Sequence, residues 1–344
     1  MHFRPVLAGC GGVSKGWLEA LLRAPNLSDR ITIAGLVDLD KSAAERRAEE
    51  FGLGDVLIGT DLDTVLSQAN ADVLFDLVVP TARRQVVATG LAHGCHVLSE
   101  KPMATSLADG RALIALAEKA DRIHAVVQNR RFKRGVRRIR ATLESGVLGE
   151  LTALHCDFFV GAHFGGFREA MENVLLLDMA IHTFDAARFM ADKMPIAVYC
   201  QQYNPTGSWY AHGAAANAIF EFSDDVIFTY RGSWCAEGAD TSWDSSWRVI
   251  GTKGTLLWDG ADSFEANAVV EDTGFLRPLA PVEVAAPADP AQTHGHASAI
   301  ADFLDAIATR RAPETASSDS INSLAMVFAA IESARARQRI AIAT

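Results

Sequence analysis

The chain has 344 residues, 49% hydrophobic and 22% charged, with 26 glycines and 11 prolines. At about 150 residues per domain this length supports two domains, and the balance excludes a disordered, collagenous or disulfide-stapled chain. Its 32 basic and 42 acidic residues leave a net charge of −10. That charge argues against wrapping a long polyphosphate, though not against a small anion in a local pocket.

Residues 3–8 (FRPVLA) read as a first strand, not as the core of a signal peptide. Glycines follow, and Val13, Trp17, Leu18, Leu21 and Leu22 then recur at helical spacing. Residues 31–38 are a second strand ending in Asp38, and 41–51 are a charged helix. Further strands fall at 73–79, 95–98 and 123–127, with helices at 83–92 and 107–120 between them. Strands alternating with helices predict a doubly wound α/β domain with a parallel sheet. The domain boundary is expected near 125–132, giving 1–127 and 128–344.

Residues 134–143 read as a linking helix, 151–160 as a strand and 172–190 as one long helix. That helix contains Asp178, His182, Asp185 and Arg188, so it fails as a membrane span. Strands at 196–203, 214–222, 225–231, 246–251, 254–258 and 265–271 follow without intervening helices, which predicts a largely antiparallel sheet. Residues 272–293 read as a loop or edge ribbon, and 297–308 and 321–337 as closing helices. The five cysteines form no CxxC pair and read as reduced, mostly buried thiols of a cytoplasmic protein.

Three segments carry chemistry. In Gly9-Cys10-Gly11-Gly12, Gly9 permits a tight turn and Gly11 lets a pyrophosphate approach the backbone at a helix N-terminus. Ser14 stands where a third glycine is usual. Asp38 at the end of the second strand suits the ribose hydroxyls of NAD and repels a 2′-phosphate, so NAD is expected over NADP. The alternative for Asp38 is a cap for the helix near Ser42. Ser99-Glu100-Lys101-Pro102 follows a strand, where doubly wound folds place ligands. Lys101 there is poised to donate to an alcohol or carbonyl oxygen, and Pro102 restricts it; a solvated turn is the plainer reading.

Asp178 and His182, four apart in LLLDMAIHTFD, share one face of a helix. The carboxylate would fix the imidazole tautomer and raise its basicity, leaving it able to take or return a hydroxyl proton. A structural pair is the competing reading. Zinc needs a third ligand, and His155, Cys156 and His163 lack ligand-like spacing, so no metal is expected.

The combination of VLAGCGGVSKGWL, SEKPMA at 99–104, QNRRF at 128–132 and LLLDMAIHTFD at 175–185 resembles the glucose-fructose oxidoreductase, inositol dehydrogenase and rhizopine-catabolism family across nearly the whole chain. The resemblance implies an N-terminal Rossmann domain and a C-terminal α+β domain with an open, mostly antiparallel sheet. It implies that the outer face of that sheet makes a homodimer or homotetramer. It implies Lys101 as the active-site lysine, His182 as acid/base and Asp178 as its partner, which also contacts a substrate hydroxyl. Gly9, Gly11, Gly12, Val13, Asp38, Pro80, Thr81, Glu100, Lys101, Pro102 and Gln128 are implied to line the cofactor. The chain departs from the family at 80–84, where Pro-Thr-Ala-Arg-Arg replaces the usual Asn-x-x-His pattern.

The expected reaction is hydride transfer between nicotinamide and a hydroxyl or carbonyl carbon of a sugar, inositol or small glycoside. In the glycine-rich loop 161–173, His163 and Asn173 are expected to bind hydroxyls, with Arg168 and Glu169 as further candidates. Trp209, Tyr210, Trp234 and Trp243 offer faces for a sugar ring, or simply pack. Arg84 reads as a solvent-facing helical arginine, and Arg130 and Arg131 as cleft residues or a salt-bridge pair between domains. RRFKRGVRRIR carries apolar residues at core spacing, so no nucleic-acid partner is expected. Two rivals stand beside this reading. One is a same-fold enzyme reducing a dihydrodiol, imine or bilin-type substrate, or a glycosidase holding NAD; the other is a non-catalytic NAD-sensing protein.

Overall fold

The computed structural model describes residues 1–343. The chain divides into two compact units, residues 1–129 with His294–Ile321, and Arg130–Thr293 with the chain from Asn322 on. Sequence periodicity places everything after residue 127 in one domain; in the structure the stretch His294–Ile321 returns to the first unit. There Val126 N donates to Thr315 O, and Ala125 bridges to Ala316, beside the last strand.

The first unit carries a parallel sheet of β1 (Pro5–Ala8), β2 (Gly35–Val37), β3 (Leu57–Gly59), β4 (Val73–Asp76), β5 (His96–Ser99) and β6 (His124–Val126). Their order is β3-β2-β1-β4-β5-β6. This is the Rossmann order, with its switch point between β1 and β4. β1 and β4 are buried throughout, as strands covered on both faces must be. β3 is only partly buried, which is why hydrophobicity alone does not reveal it.

The second unit carries β7 (Leu151–Phe159), β8 (Pro195–Tyr203), β9 (Ala215–Phe222), β10 (Ile227–Ser233), β11 (Ser246–Gly251), β12 (Gly254–Trp258), β13 (Phe264–Val269), β14 (Leu279–Pro281) and β15 (Ile340–Ala341). The order is β14-β13-β12-β11-β7-β10-β9-β8-β15, antiparallel except for β7 against β10. Buried and exposed residues alternate along these strands, so one face packs and the other stays open. The packed face meets the helix Ile181–Ala191, whose Phe184 ring lies 4.7 Å from Phe220 and 5.2 Å from Tyr230.

Two elements differ from the sequence expectation. The helix read as 172–190 opens with a π-helical stretch, Leu175–Ala180, and becomes α-helical at Ile181. Within 272–293 the edge ribbon is real but short, since only Leu279–Pro281 pairs with β13. All five cysteines are free, four of them buried. Among the described residues no helix is long and apolar enough to cross a membrane.

Candidate functional site

The glycine turn follows β1 at the switch point. Gly9 has φ +98°, and a Cβ there would lie 2.8 Å from the backbone carbonyl of Leu77. Glycine is therefore required twice over, for conformation and for close approach of the chain leaving β4. A Cβ on Gly11 or Gly12 would meet nothing within 4 Å. The backbone face over the start of helix Gly12–Arg23 is open, and no side chain caps that helix. Unclaimed N–H groups beside open space suit a pyrophosphate. Ser14, in place of a third glycine, is buried and donates its hydroxyl to Gly11 O at 2.6 Å.

Asp38 stands beside this turn. Its Oδ2 accepts from Cys10 N at 2.7 Å and its Oδ1 from Asp40 N at 2.9 Å. The two bonds fix the carboxylate and leave lone pairs for ribose hydroxyls. The helix Lys41–Glu50 is capped instead by Asp40, which accepts from Ser42 N. The capping alternative for Asp38 is thereby removed. Val13, Leu39 and Val79 are apolar yet 49%, 94% and 65% exposed. Pro80 opens the helix Pro80–Ala92, and Thr81 is exposed on its first turn. Gln128 is buried, and its Oε1 has no hydrogen-bond partner in the protein. Such an acceptor is the kind of group a ligand donor satisfies. The donor set, open backbone and orphaned acceptor all fit a dinucleotide.

Lys101 follows β5 directly, and the Lys101–Pro102 peptide is cis. Glu100 holds the segment. Its Oε1 accepts from Trp17 Nε1 at 2.7 Å and lies 3.4 Å from His296 Nε2, while its Oε2 accepts from Lys101 N at 3.1 Å. Burial alone would push the Glu100 carboxyl up; the His296 and Trp17 contacts and the Lys101 charge outweigh it and hold the carboxyl below the ordinary glutamate range. Trp17 reads in the sequence only as a core residue, and His296 lies 196 positions away, so neither was legible as a support of this motif.

Under the same turn lies a buried polar chain that the sequence did not announce. Asp76 pairs with Arg83 at 2.8 Å, and Ser99 Oγ lies 3.1 Å from His124 Nε2. Burial, with the Arg83 charge adding to it, pushes the His124 imidazole down to about 3. An unfolded chain titrates near 6.5, so between these values the unfolded state binds a proton that the native state refuses. This contribution to stability is complete above about pH 6.5 and falls as pH drops, by up to about 1.4 kcal/mol per pH unit. His96, pushed down to about 4 mainly by burial, acts in the same direction. The thermal midpoint should therefore fall between pH 7 and pH 5, and His124→Gln should shrink that fall. An equal fall in the variant, followed by circular dichroism, would rule His124 out as its source.

In the second unit, Asp178 lies in the π-helical stretch and His182 on the first turn of the α-helix beyond it. Single π turns recur at functional sites. Asp178 Oδ2 accepts from Arg168 Nε at 3.0 Å, a partner that the i,i+4 spacing does not foretell. The Arg168 guanidinium also lies 5.1 Å and 5.2 Å from the Phe164 and Phe167 rings. His182 is half-buried, beside Arg130, Met179, Thr183, Trp243 and Asp244.

The loop before this helix is held at several points. His163 stacks on Trp209 at 3.7 Å and pairs with Glu237 at 3.0 Å. Trp209 and Tyr210 both donate to Ala162 O. Glu169 accepts from Gly165 N, and Asn173 adopts φ +53°. Trp234 is buried and Trp243 half exposed, so only Trp243 of that pair offers a face. Arg84 is exposed and pairs with Asp109. Arg131 makes a buried bidentate pair with Asp185, and Arg130 pairs with Asp244, both within the second unit. Among the described residues no group of three metal-ligating side chains occurs.

Comparison with known proteins identifies both halves of the chain. Residues 3–128 match the oxidoreductase family with an NAD-binding Rossmann fold, and residues 136–257 match the GFO/IDH/MocA C-terminal domain. A 1,5-anhydro-D-fructose reductase of Ensifer adhaerens is 25% identical over 98% of both chains. An inositol 2-dehydrogenase of Burkholderia vietnamiensis is 30% identical over 53% of this chain and 52% of its own. An oxidoreductase from Agrobacterium radiobacter, solved with NAD+, L-tartaric acid and magnesium, has a TM-score of 0.85 at 19% identity over 99% of both chains. The chain belongs to the GFO/IDH/MocA family and is an NAD(P)-dependent dehydrogenase or reductase.

Proposed function

We propose that the protein transfers hydride between NAD and a hydroxyl or carbonyl carbon of a sugar, inositol or small glycoside. The observation that carries this is the placing of Lys101 at the carboxyl end of β5, beside a largely buried Glu100 bonded through both oxygens, in the unit that holds the glycine cradle. Bound NAD supplies the hydride acceptor in oxidation and the donor in reduction. The Lys101 ammonium stabilises negative charge developing on the reacting oxygen. An imidazole nitrogen of His182 takes the hydroxyl proton in oxidation and returns it in reduction. Asp178, held by Arg168, orients that imidazole and meets a substrate hydroxyl, while His163 and Asn173 bind others.

Two similar proteins are named for 1,5-anhydro-D-fructose and inositol, both polyhydroxylated rings. The open face of the second sheet exposes Ile196, Tyr199 and Ile219, and we assign a homodimer or homotetramer contact to it. Free thiols suit work in the reducing cytoplasm.

The test is a panel of sugars, inositols and glycosides with NAD and NADP compared, following absorbance of the reduced cofactor. Turnover with at least one polyol supports the reading, and silence across the panel with both cofactors overturns it. Asp38 sets the cofactor choice. Asp38→Ala should weaken NAD binding about 10- to 100-fold and NADP binding far less, since it removes ribose acceptors and the repulsion of a 2′-phosphate together. Fluorescence titration measures both constants. Equal loss for the two cofactors would count against this role.

A further inference from the structure

We propose that Asp76 and Arg83 are positioning residues for catalysis, a buried pair that fixes the backbone on which Lys101 is mounted. The proposal rests on the assignment of Lys101 as a catalytic group.

Both residues are out of place by ordinary rules. Asp76 ends a strand whose other residues are apolar, and its side chain is 0% exposed. Arg83 is on the first turn of the next helix and is 1% exposed. Charged side chains are almost never fully buried unless paired. Stability alone does not explain keeping such a pair, because apolar residues of similar volume often serve as well or better.

The bonds show what the pair does. Arg83 Nε donates to Asp76 Oδ2 at 2.8 Å and Nη2 donates to Val78 O at 2.8 Å, while Nη1 donates to Pro102 O. One guanidinium thus joins the end of β4, the loop after it and the residue following Lys101. Its planar fork makes this three-way bond possible, and a lysine ammonium lacks that geometry. From the other side, Glu100 N donates to Asp76 O at 2.8 Å, and Ser99 is the register partner of Asp76 across β4 and β5. His124 supports Ser99 from β6. Residues 99, 100 and 102 are all tied to this pair, and Lys101 is the residue between them. Displacement of a reacting group by about 1 Å can cost about 100-fold in rate.

Two variants separate positioning from folding. Asp76→Leu with Arg83→Met removes both charges at similar volume, and Arg83→Lys keeps a charge for Asp76 but loses the fork. Each is compared with wild type for melting temperature, NAD affinity, kcat and KM on the best polyol of the panel. A readout independent of turnover is trace acetylation by acetic anhydride, with the rate at Lys101 measured by peptide mass spectrometry against that at Lys253. The expected result for either folded variant is a kcat lower by about 10- to 100-fold. NAD affinity and KM should stay within about threefold, and relative Lys101 acetylation should change at least about threefold. A lower melting temperature with unchanged kcat and unchanged Lys101 reactivity would overturn the proposal. Lys101→Ala distinguishes the two levels. Should it retain turnover, the catalytic reading fails and the pair loses its purpose. Should it lose turnover while the folded variants keep theirs, only the positioning role fails.

Discussion

Lys101→Ala is expected to lower kcat by about 100- to 1,000-fold, the range found when one preorganised donor is removed from a developing oxyanion. The NAD dissociation constant should stay within about threefold, because most groups fitted to the dinucleotide are other than the Lys101 side chain, among them Gly9 to Val13, Asp38 and Gln128. The backbone of the turn has supports other than the lysine side chain. Glu100 is bonded by Trp17 and by the Lys101 backbone N–H, and Pro102 by Arg83 through its carbonyl. These bonds do not involve the ammonium, so truncation leaves them in place. Lys101→Arg keeps the charge on a longer, planar group and should recover little, since position matters as much as sign. Steady-state kinetics on the best polyol, with fluorescence titration of NAD, read both effects. Turnover within about threefold of wild type in the alanine variant would remove Lys101 from the chemistry.

The parallel sheet was legible because its strands bury both faces and so appear as short unbroken apolar runs. The third strand was not, since Leu57–Gly59 is only partly buried and lies at the edge. The second sheet was legible from a run of strands with no helix between them. The break in the Asp178 helix was hidden, because a π turn changes the hydrogen-bond step without changing the apolar residues that bury it.

The site divides in the same way. Glycines, the strand-ending Asp38 and the Glu100-Lys101-Pro102 run are local signals, and the structure finds each at a sheet terminus. Their supports are not local. Trp17 meets Glu100 across 83 positions. Asp76 and Arg83 lie seven apart, within reach of inspection, yet a Pro-Thr-Ala-Arg-Arg sequence does not say which arginine turns inward. The structure does: Arg83 is buried and Arg84 is 63% exposed. Arg168 was read as a hydroxyl ligand, and its contact with Asp178 depends on a loop that no periodicity predicts.

His182→Asn should lower kcat by about 100- to 10,000-fold, the span of general acid–base contributions, and should also change the shape of the pH profile. The helix Ile181–Ala191 is fixed to the sheet by Phe184, two residues on, so the substitution leaves the backbone in place. Oxidation requires a neutral imidazole to receive the hydroxyl proton. In that direction kcat/KM of the wild type should fall on the acid side with the slope of one proton. Reduction requires the protonated form, so there the fall is on the alkaline side. Asparagine neither takes nor gives that proton, and both limbs should disappear in the variant while the lower plateau remains. A purely structural histidine would behave differently, because its loss would lower the melting temperature and leave the limbs of the remaining activity unchanged. Persistence of the acid limb in His182→Asn would therefore assign the proton to another group. Arg168 offers a check on the same assignment. Arg168→Met removes the guanidinium from Asp178, and a carboxylate so released should hold the imidazole more strongly in its protonated form. The acid limb of oxidation should then move to higher pH, in the Arg168 variant and not in His182→Asn, which ties the limb to the Asp178–His182 face rather than to either residue's effect on folding.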